Sequence, residues 1–343
     1  MISRFQVQNF AVFQKLDWTQ HAGINVIVGK NDTGKSHLLK LLYALVKSIE
    51  EFSRGPSPKN WIAVLQQKLT WTFQSDSLSD MISRGMDRAF AELLVNQETC
   101  SLAISKPIES NLTEILTEGT NPRKELSAVF IPPKELLTAF EAIAATRERL
   151  EIFGFDDTYY DLIKALRLPT TKGKIDEHLL RVLRSLEAMF GGEIAKGRDD
   201  GQFVFHCNGQ VFQMAQTAEG IKKLGILTTL IRNRTLTKGS ILFLDEPETN
   251  LHPDYIVKLM TMLMDLSRAG IQIYLATHSY FVIKQLHILA KEQKVHVPFC
   301  ALTREGPTVR ADFSDLLDGM PDNPIIEEAI ALYEREVSLD LRR

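Results

Sequence analysis

The chain has 343 residues, which is enough for one large or two ordinary domains with a sizeable core. Its formal net charge of −3 excludes a global positive field, so any nucleic-acid site would have to be a local patch. The three cysteines are far apart and no uncharged apolar run approaches the roughly 20 residues of a membrane span, so we expect a cytoplasmic protein without disulfides or membrane contact.

The first third of the chain predicts strands followed by a helix. Alternating polarity over 2–10 predicts a half-buried strand with a weaker continuation over 12–18, and the run GINVIVG predicts a buried strand. A helix is expected over 36–52 and ends before RGPSPKN. Residues 59–108 predict a mixture of helix with one strand over 101–105.

The remainder predicts a helical segment and then strand–helix alternation. LSAVFIPPKELL predicts a strand stopped by two prolines, and helix follows to about residue 190. The dipeptide NG between two strands predicts a hairpin. Alternation in the last third indicates an α/β fold with a parallel or mixed sheet. The final segments are a helix from about 220 to 234, a strand over 241–244, a helix from 253 to about 270, a strand over 271–276, a helix after 279, a strand near 297–302 and a helix over 324–337.

GKNDTGKS, residues 29–36, matches the phosphate-loop pattern GxxxxGK[ST] between a predicted strand and a predicted helix. The glycines would let backbone N–H groups wrap phosphates, Lys35 would neutralise the β- and γ-phosphates, and the Ser36 hydroxyl would bind Mg²⁺. A chance glycine turn is the alternative, and the flanking strand and helix disfavour it. The predicted nucleotide-binding residues here are Gly29, Lys30, Asn31, Asp32, Thr33, Gly34, Lys35, Ser36 and His37.

Two further strands end in polar residues. SILFLDEPETNLHPD places Asp245 after a buried strand as a Mg²⁺ ligand, and Glu246 beside it as the general base that activates water. IQIYLATHSY places His278 where it would reach the γ-phosphate. The alternatives are an acidic turn that caps a helix, and an ordinary structural histidine.

The stretch QTAEGIKKLG predicts a helix start with a glycine, whose exposed N–H groups form a ready anion site. An ordinary cap supplied by Thr217 is the alternative. Glu219 would repel a triphosphate unless it points away towards Lys222 or Lys223.

The order of these motifs resembles the ABC-type ATPases, in particular the RecF, SMC-head and OLD-type branch and the compact AAA-labelled ATPases of bacterial defence systems. The resemblance covers nearly the whole chain and implies an α/β ATPase head with a mixed sheet and an inserted helical lobe. It implies lobes over 1–133 and 201–343, with the helical lobe over 134–200. ATP and Mg²⁺ are the implied cofactors.

In that family two subunits sandwich two nucleotides head to tail. One subunit would supply Lys35, Glu246 and His278 for catalysis, and the other would supply the signature helix at Thr217, Glu219 and Gly220. The usual serine is absent there unless Thr217 stands in for it. The turn at 250–252 matches the dimer-facing D-loop. The glutamine of the family has no clear counterpart beyond Lys134, Glu135 or Gln74, and adenine stacking on Phe13 competes with a core role for that residue.

These motifs favour an ATP-hydrolysing switch that forms a homodimer or higher homo-oligomer and controls a separate effector, a nuclease or toxin, in bacterial anti-phage defence. The insertion between Ser36 and Thr217 is too short for the long coiled coil of SMC or double-strand-break repair ATPases, and we expect no Toprim nuclease domain in the tail after His278. The alternative is a RecF-like repair ATPase that binds DNA, although a solvated helix face explains the same cations at least as well. A transporter subunit or small-molecule kinase fits these motifs less well. The cations in question are Lys222, Lys223, Arg232, Arg234 and Lys238.

Overall fold

The computed structural model describes residues 1–19, 23–54, 60–106, 114–116, 126–170, 173–197 and 203–341. The strands within these ranges are β1 (Ile2–Phe10), β2 (Phe13–Thr19), β3 (Ile24–Gly29), β4 (Arg88–Val95), β5 (Glu98–Ser105), β6 (Glu114–Leu116), β7 (Ala128–Ile131), β8 (Glu193–Lys196), β9 (Phe203–Cys207), β10 (Gln210–Gln213), β11 (Ile241–Asp245), β12 (Gln272–Thr277), β13 (Pro298–Glu305) and β14 (Thr308–Asp315). The helices are α1 (Lys35–Ser53), α2 (Trp61–Phe73), α3 (Phe140–Glu148), α4 (Asp157–Arg167), α5 (Glu177–Phe190), α6 (Glu219–Arg232), α7 (Pro253–Arg268), α8 (Tyr280–Gln293) and α9 (Pro324–Asp340). No helix within these ranges has the length and apolar character to span a membrane.

A six-stranded sheet in the order β14-β13-β3-β12-β11-β7 lies at the centre. All neighbours are parallel except β14, which is antiparallel to β13. Every residue of β3, β11 and β12 is buried, as expected where both faces of a parallel sheet are covered. The carboxyl ends of these strands therefore meet at one edge, and the predicted α/β fold with a mixed sheet is confirmed.

A second, antiparallel sheet in the order β2-β1-β4-β5-β6 shares a core with α1 and one face of the central sheet. Its strand β1 contributes Phe5, which is fully buried. Tyr43 of α1 meets the rings of Phe130 and Phe243 edge-on, at centroid distances of 5.2 and 5.5 Å. Helix α1 is thus held between the two sheets.

Within the described residues 60–106, the structure differs from the sequence-based prediction in containing a two-stranded hairpin after α2. The strand expected over 101–105 extends back to residue 98 and pairs with β4. Residues of β4 alternate between buried and more exposed. Several residues of β4 are alanine, glutamate or leucine, which intrinsically favour helix. Pairing with the neighbouring strands therefore outweighs their local preference and makes the segment a strand.

Two other elements differ from the sequence-based prediction. The helix expected directly after Pro133 begins only at Phe140, because the Glu135 carboxylate first caps a turn by accepting from the Thr138 N–H at 3.0 Å. Strand β14 was absent from the prediction, and its mostly exposed, polar residues are typical of an edge strand.

The other face of the central sheet is covered by helices α4 to α8, which form one continuous core with it. A small sheet in the order β10-β9-β8 packs beside α6. The predicted NG hairpin is confirmed, with Asn208 and Gly209 at φ of 50° and 76°, as a tight turn of this kind requires. Gly225 lets α6 approach this sheet, since a Cβ there would lie 2.1 Å from Ile194 Cδ1.

A buried charge network joins three helices. Lys68 Nζ of α2 lies 2.8 Å from both Asp157 Oδ2 and Asp161 Oδ2 of α4, and 2.9 Å from Glu51 Oε1 of α1. Burial alone would lower the pKa of Lys68, but the three carboxylates outweigh it and raise that pKa. Asp161 also accepts from the Tyr43 hydroxyl at 2.8 Å.

Candidate functional site

The phosphate loop follows β3 and leads into α1 at the edge where the parallel strands end. Gly29 has no room for a side chain, because a Cβ there would lie 2.5 Å from Thr33 Oγ1 and 2.7 Å from the Leu302 carbonyl oxygen. Gly34 caps α1 with φ of 82°, a left-handed conformation that favours glycine. Both glycines are therefore needed for the shape of the loop.

Two cations hold the loop. Lys35 Nζ donates to the carbonyl oxygens of Gly29 and Lys30 at 2.9 and 3.0 Å, so its ammonium lies within the loop. Burial lowers the pKa of Lys35, while the carboxylates of the site oppose that shift. Arg304 of β13 donates to the carboxylate of Asp32 at 2.7 Å and to its carbonyl at 2.9 Å, a brace that the sequence analysis missed.

Asp245 ends β11 and is 2% exposed. Ser36 hydrogen-bonds to its carboxylate, and the buried Oδ1 atom has no partner. Burial raises the pKa of Asp245, assisted by the charge of Glu246 and opposed by the bond from Ser36. An orphaned carboxylate oxygen beside a hydroxyl fits Mg²⁺, which takes one or two protein oxygens and fills its octahedron with phosphate and water.

Glu246 and His278 lie together at the ends of adjacent strands. His278 Nδ1 is 3.1 Å from Glu246 Oε1, and both side chains are partly exposed. Glu248, to which the sequence analysis assigned no role, accepts from the Thr277 hydroxyl at 2.6 Å and from the His278 N–H at 3.3 Å. This buried carboxylate fixes the backbone that carries the histidine. Its position two residues after Glu246 in DEPE was the only available signal.

A cavity of about 380 Å³ lies over the phosphate loop and extends to Glu246. Its size suits a small-molecule ligand. Among the described residues, Thr217, Glu219 and Gly220 do not line it. The residues that line it are Ala11, Val12, Asn31, Asp32, Gly34, Lys35, Ser36, His37 and Glu246.

The start of α6 lies instead against the turn at 250–252. A Cβ on Gly220 would be 2.7 Å from Leu251 Cδ2 and 3.3 Å from the Asn250 carbonyl oxygen, so the glycine allows this approach. Thr217 does not cap the helix as expected. Ala218 occupies the cap position, and the buried Thr217 hydroxyl donates to the Gln213 carbonyl at 3.1 Å.

The expected partner of Glu219 is confirmed, since Lys222 Nζ lies 2.7 Å from Glu219 Oε1. Lys222 is 3% exposed and also donates to the Thr138 hydroxyl at 2.9 Å. Lys223 is half-buried and donates to the Glu246 carbonyl oxygen at 2.7 Å. Burial lowers the pKa of Lys223 to about 8, although the carboxylates of Glu248, Asp245 and Glu246 oppose this.

The five cations considered for DNA binding do not form a solvated basic face. Lys222 and Lys223 point into the protein, as described above. Arg232 forms ion pairs with Glu187, at 2.6 Å, and with Glu193. Arg234 donates to the Lys174 carbonyl at 3.2 Å, which leaves Lys238 as the exposed member.

Other candidate positions lie apart from the cavity. Phe13 is fully buried in the core against Gly34, so an adenine-stacking role is wrong and the core role is correct. Among the described residues, Lys134, Glu135 and Gln74 do not line the phosphate-loop cavity. Gln74 instead ends α2 in a left-handed conformation with φ of 52°.

The arrangement provides the groups that phosphoryl transfer to water needs. A cation lies in the loop, a carboxylate that fits a metal bonds to Ser36 of the loop, and a second carboxylate lines the cavity and contacts a histidine. Positioning and charge stabilisation dominate such reactions, so rigid placement of these groups is the main chemical requirement.

Comparison with known protein families and proteins finds similarity over part of the chain. Residues 114–284 match a family model described as "AAA domain, putative AbiEii toxin, Type IV TA system". The DNA replication and repair protein RecF of Streptococcus suis is 21% identical over 209 residues, which cover 58% of this chain and 53% of RecF. The chain thus spans about half the length of the curated relatives it matches.

Solved structures share the fold at low sequence identity. An SMC head bound to the C-winged helix domain of ScpA has a TM-score of 0.57 and 12% identity, with 92% of this chain and 98% of that chain covered. An Smc head with an extended coiled coil, bound to the C-terminal domain of ScpA derived from Pyrococcus furiosus, has a TM-score of 0.50 and 12% identity, with 100% and 99% covered.

Proposed function

We propose that this chain, an ABC-type P-loop ATPase of the RecF and SMC branch, is an ATP-hydrolysing switch. It would dimerise around ATP and control a separate effector protein. One observation carries the proposal. The phosphate loop and Glu246 line one cavity, Asp245 bonds to Ser36 of that lining and His278 to Glu246, whereas Gly220 at the start of α6 lies outside the cavity. The start of α6 is then available to a nucleotide bound on a second subunit.

In the proposed reaction, the γ-phosphate of ATP lies at the phosphate loop, where Lys35 exchanges loop carbonyls for phosphate oxygens. Glu246 orients the attacking water and accepts its proton, the bond between the γ-phosphorus and the β,γ-bridging oxygen breaks, and ADP leaves. His278 holds the Glu246 carboxylate and the γ-phosphate in place. Mg²⁺ bound by Asp245 and Ser36 would supply neutralising charge at the β- and γ-phosphates. Exposed N–H groups at the start of the partner's α6 would complete the anion site.

An effector on another chain is supported by the comparisons. The description of the matching family model names a toxin and a toxin–antitoxin system, and the similar SMC heads were solved with ScpA domains bound. We place the switch in bacterial anti-phage defence, where ATP-driven dimerisation would hold or release a nuclease or toxin.

Glu246→Gln tests the switch, because glutamine keeps the shape of the side chain and removes the proton acceptor. We expect ATP to bind normally, hydrolysis to fall by roughly 10²- to 10⁴-fold, and the variant to accumulate as a dimer or larger assembly in light scattering. Glu292→Gln, which changes an exposed carboxylate on α8, is the matched control. A Glu246→Gln protein that stays monomeric at saturating ATP and Mg²⁺ would contradict the proposal, and proteins that co-purify with a dimeric one are effector candidates.

The similarity to RecF favours DNA binding as a second candidate function. The internal pairing of Arg232 and the burial of Lys222 and Lys223 weigh against a basic face on α6. Binding to duplex DNA that weakens steeply with salt would support this candidate, and a flat salt response would remove it.

A further inference from the structure

Lys223 joins the first turn of α6 to the ends of two neighbouring strands. Its Nζ atom donates to the carbonyl oxygen of Glu246, after β11, at 2.7 Å and to that of Pro133, after β7, at 3.4 Å. Strands β11 and β7 are parallel neighbours, so these carbonyls leave the sheet side by side. An ammonium has three donors and can serve both oxygens.

The backbone of Glu246 needs this support. Its φ of 48° is left-handed, which is uncommon for a residue other than glycine, and Pro247 restricts it further. Its N–H donates to the Ala276 carbonyl at 2.9 Å, and its carbonyl accepts from the Thr249 N–H at 3.1 Å as well as from Lys223. Surrounding contacts must over-determine such a conformation for it to persist. The same conformation places Glu246 Oε1 at 3.1 Å from His278 Nδ1.

The adjacent lysine fixes the other side of the same helical turn. Lys222 Nζ contacts Glu219 Oε1 at 2.7 Å and the Thr138 hydroxyl at 2.9 Å. Gly220, next to Glu219 in the chain, packs against the turn at 250–252. A displacement of the start of α6 therefore moves the donor that holds the Glu246 carbonyl.

We propose that Lys223 is a positioning residue for hydrolysis, which transmits the position of the α6 start to the backbone and carboxylate of Glu246. The role rests on the proposed function, since the displacing ligand is the γ-phosphate held by a second subunit. Docking of that phosphate at the α6 start sets the first turn, Lys223 follows it, and Glu246 is aligned with its water. Nucleotide binding at the phosphate loop does not depend on this link.

The test compares Lys223→Met, Lys223→Gln and Lys223→Arg, with Lys284→Met as the matched control at an exposed lysine of α8. Methionine removes every donor. Glutamine keeps one donor group for folding but is too short to reach both carbonyls, and arginine retains charge, length and donors. For each variant we would measure the melting temperature, ATP affinity with a fluorescent analogue, and kcat and KM for ATP hydrolysis.

We expect Lys223→Met and Lys223→Gln to keep ATP affinity and KM within about threefold of the wild type, while kcat falls about tenfold or more because Glu246 is misplaced. Arginine should restore at least about half of kcat, and Lys284→Met should match the wild type. Combined with Glu246→Gln, Lys223→Met should cause no further loss, because the lysine acts through that carboxylate.

The role of Lys223 is overturned if kcat of both Lys223→Met and Lys223→Gln stays within about twofold of the wild type, or if their ATP affinity falls together with kcat. It is also overturned if kcat of the double variant is a further tenfold below that of Glu246→Gln alone. A Met variant that fails to fold leaves the decision to the Gln and Arg variants by the same criteria. Absence of hydrolysis in the wild type would refute the proposed function itself, and the role of Lys223 with it. Normal hydrolysis in the wild type with normal kcat in the variants refutes only the role of Lys223.

Discussion

Lys68→Met removes the cation at the centre of the buried charge network. The side chains of Lys68, Asp157 and Asp161 are only 3–4% exposed, and each ion pair is 2.8 Å long. Breaking a buried pair by removing one partner costs about 3–5 kcal/mol. Asp161 retains Lys164 at 2.6 Å and Asp157 retains only a longer contact to Arg147, so we expect the lower end of that range, about 3 kcal/mol.

The pH dependence has a defined sign. The charges of Lys68 and Lys164 outweigh burial and lower the pKa of Asp161, so its stabilising contribution exists above the unfolded pKa and is lost as pH falls. Burial raises the pKa of Asp157 against the opposing charge of Lys68, and removal of that charge raises it further. A proton then neutralises the Asp157 carboxylate, so the destabilisation should shrink by about 1 kcal/mol or more between pH 8 and pH 5.

Equilibrium unfolding in urea, followed by tryptophan fluorescence, measures this loss. Lys258→Met is the control, because its ion pair with Asp254 is about half exposed and exposed ion pairs contribute little to stability. Lys68→Met should lower the free energy of unfolding by more than the control does. A decrease no larger than that of the control, or one that does not change with pH, would contradict a stabilising role of the buried charge network.

Two predictions concern the site itself. Gly29→Ala should weaken ATP binding about tenfold or more in an equilibrium titration, since its Cβ would lie 2.7 Å from the Leu302 carbonyl oxygen. Unchanged affinity would show that the phosphate loop accommodates the added methyl group without losing its shape. Glu248→Gln keeps the side-chain shape but loses the negative charge that accepts from Thr277 and His278. We therefore expect kcat to fall about fivefold or more at constant ATP affinity. An unchanged kcat would show that Glu248 has no role in positioning His278 for catalysis.

Local patterns were sufficient to predict the three strands that end at the site. The buried runs before Gly29, Asp245 and His278 are strongly apolar, and parallel strands bring their carboxyl ends to one edge. The chemistry of the phosphate loop depends on spacing within eight residues, so the sequence contains it entirely.

Contacts between distant segments were not predictable from such patterns. Lys223 has the spacing of a solvated helix position, and only packing of α6 over the sheet edge places it on the Glu246 carbonyl. Glu248 acquires its role from the neighbouring strand β12. The cap of α6 depends on a shift of one residue, from Thr217 to Ala218, which is within the uncertainty of helix boundaries.

Mixing two inactive variants tests whether the α6 start of one subunit completes the ATP site of another. Lys35→Ala disables the phosphate loop and Gly220→Asp disables the α6 start. In an equal mixture about half of the dimers are mixed, and each mixed dimer has one site with both parts intact. We expect each variant alone to be inactive and the mixture to recover about a quarter of wild-type ATP hydrolysis. A mixture of two folded variants that stays as inactive as its components would contradict this expectation.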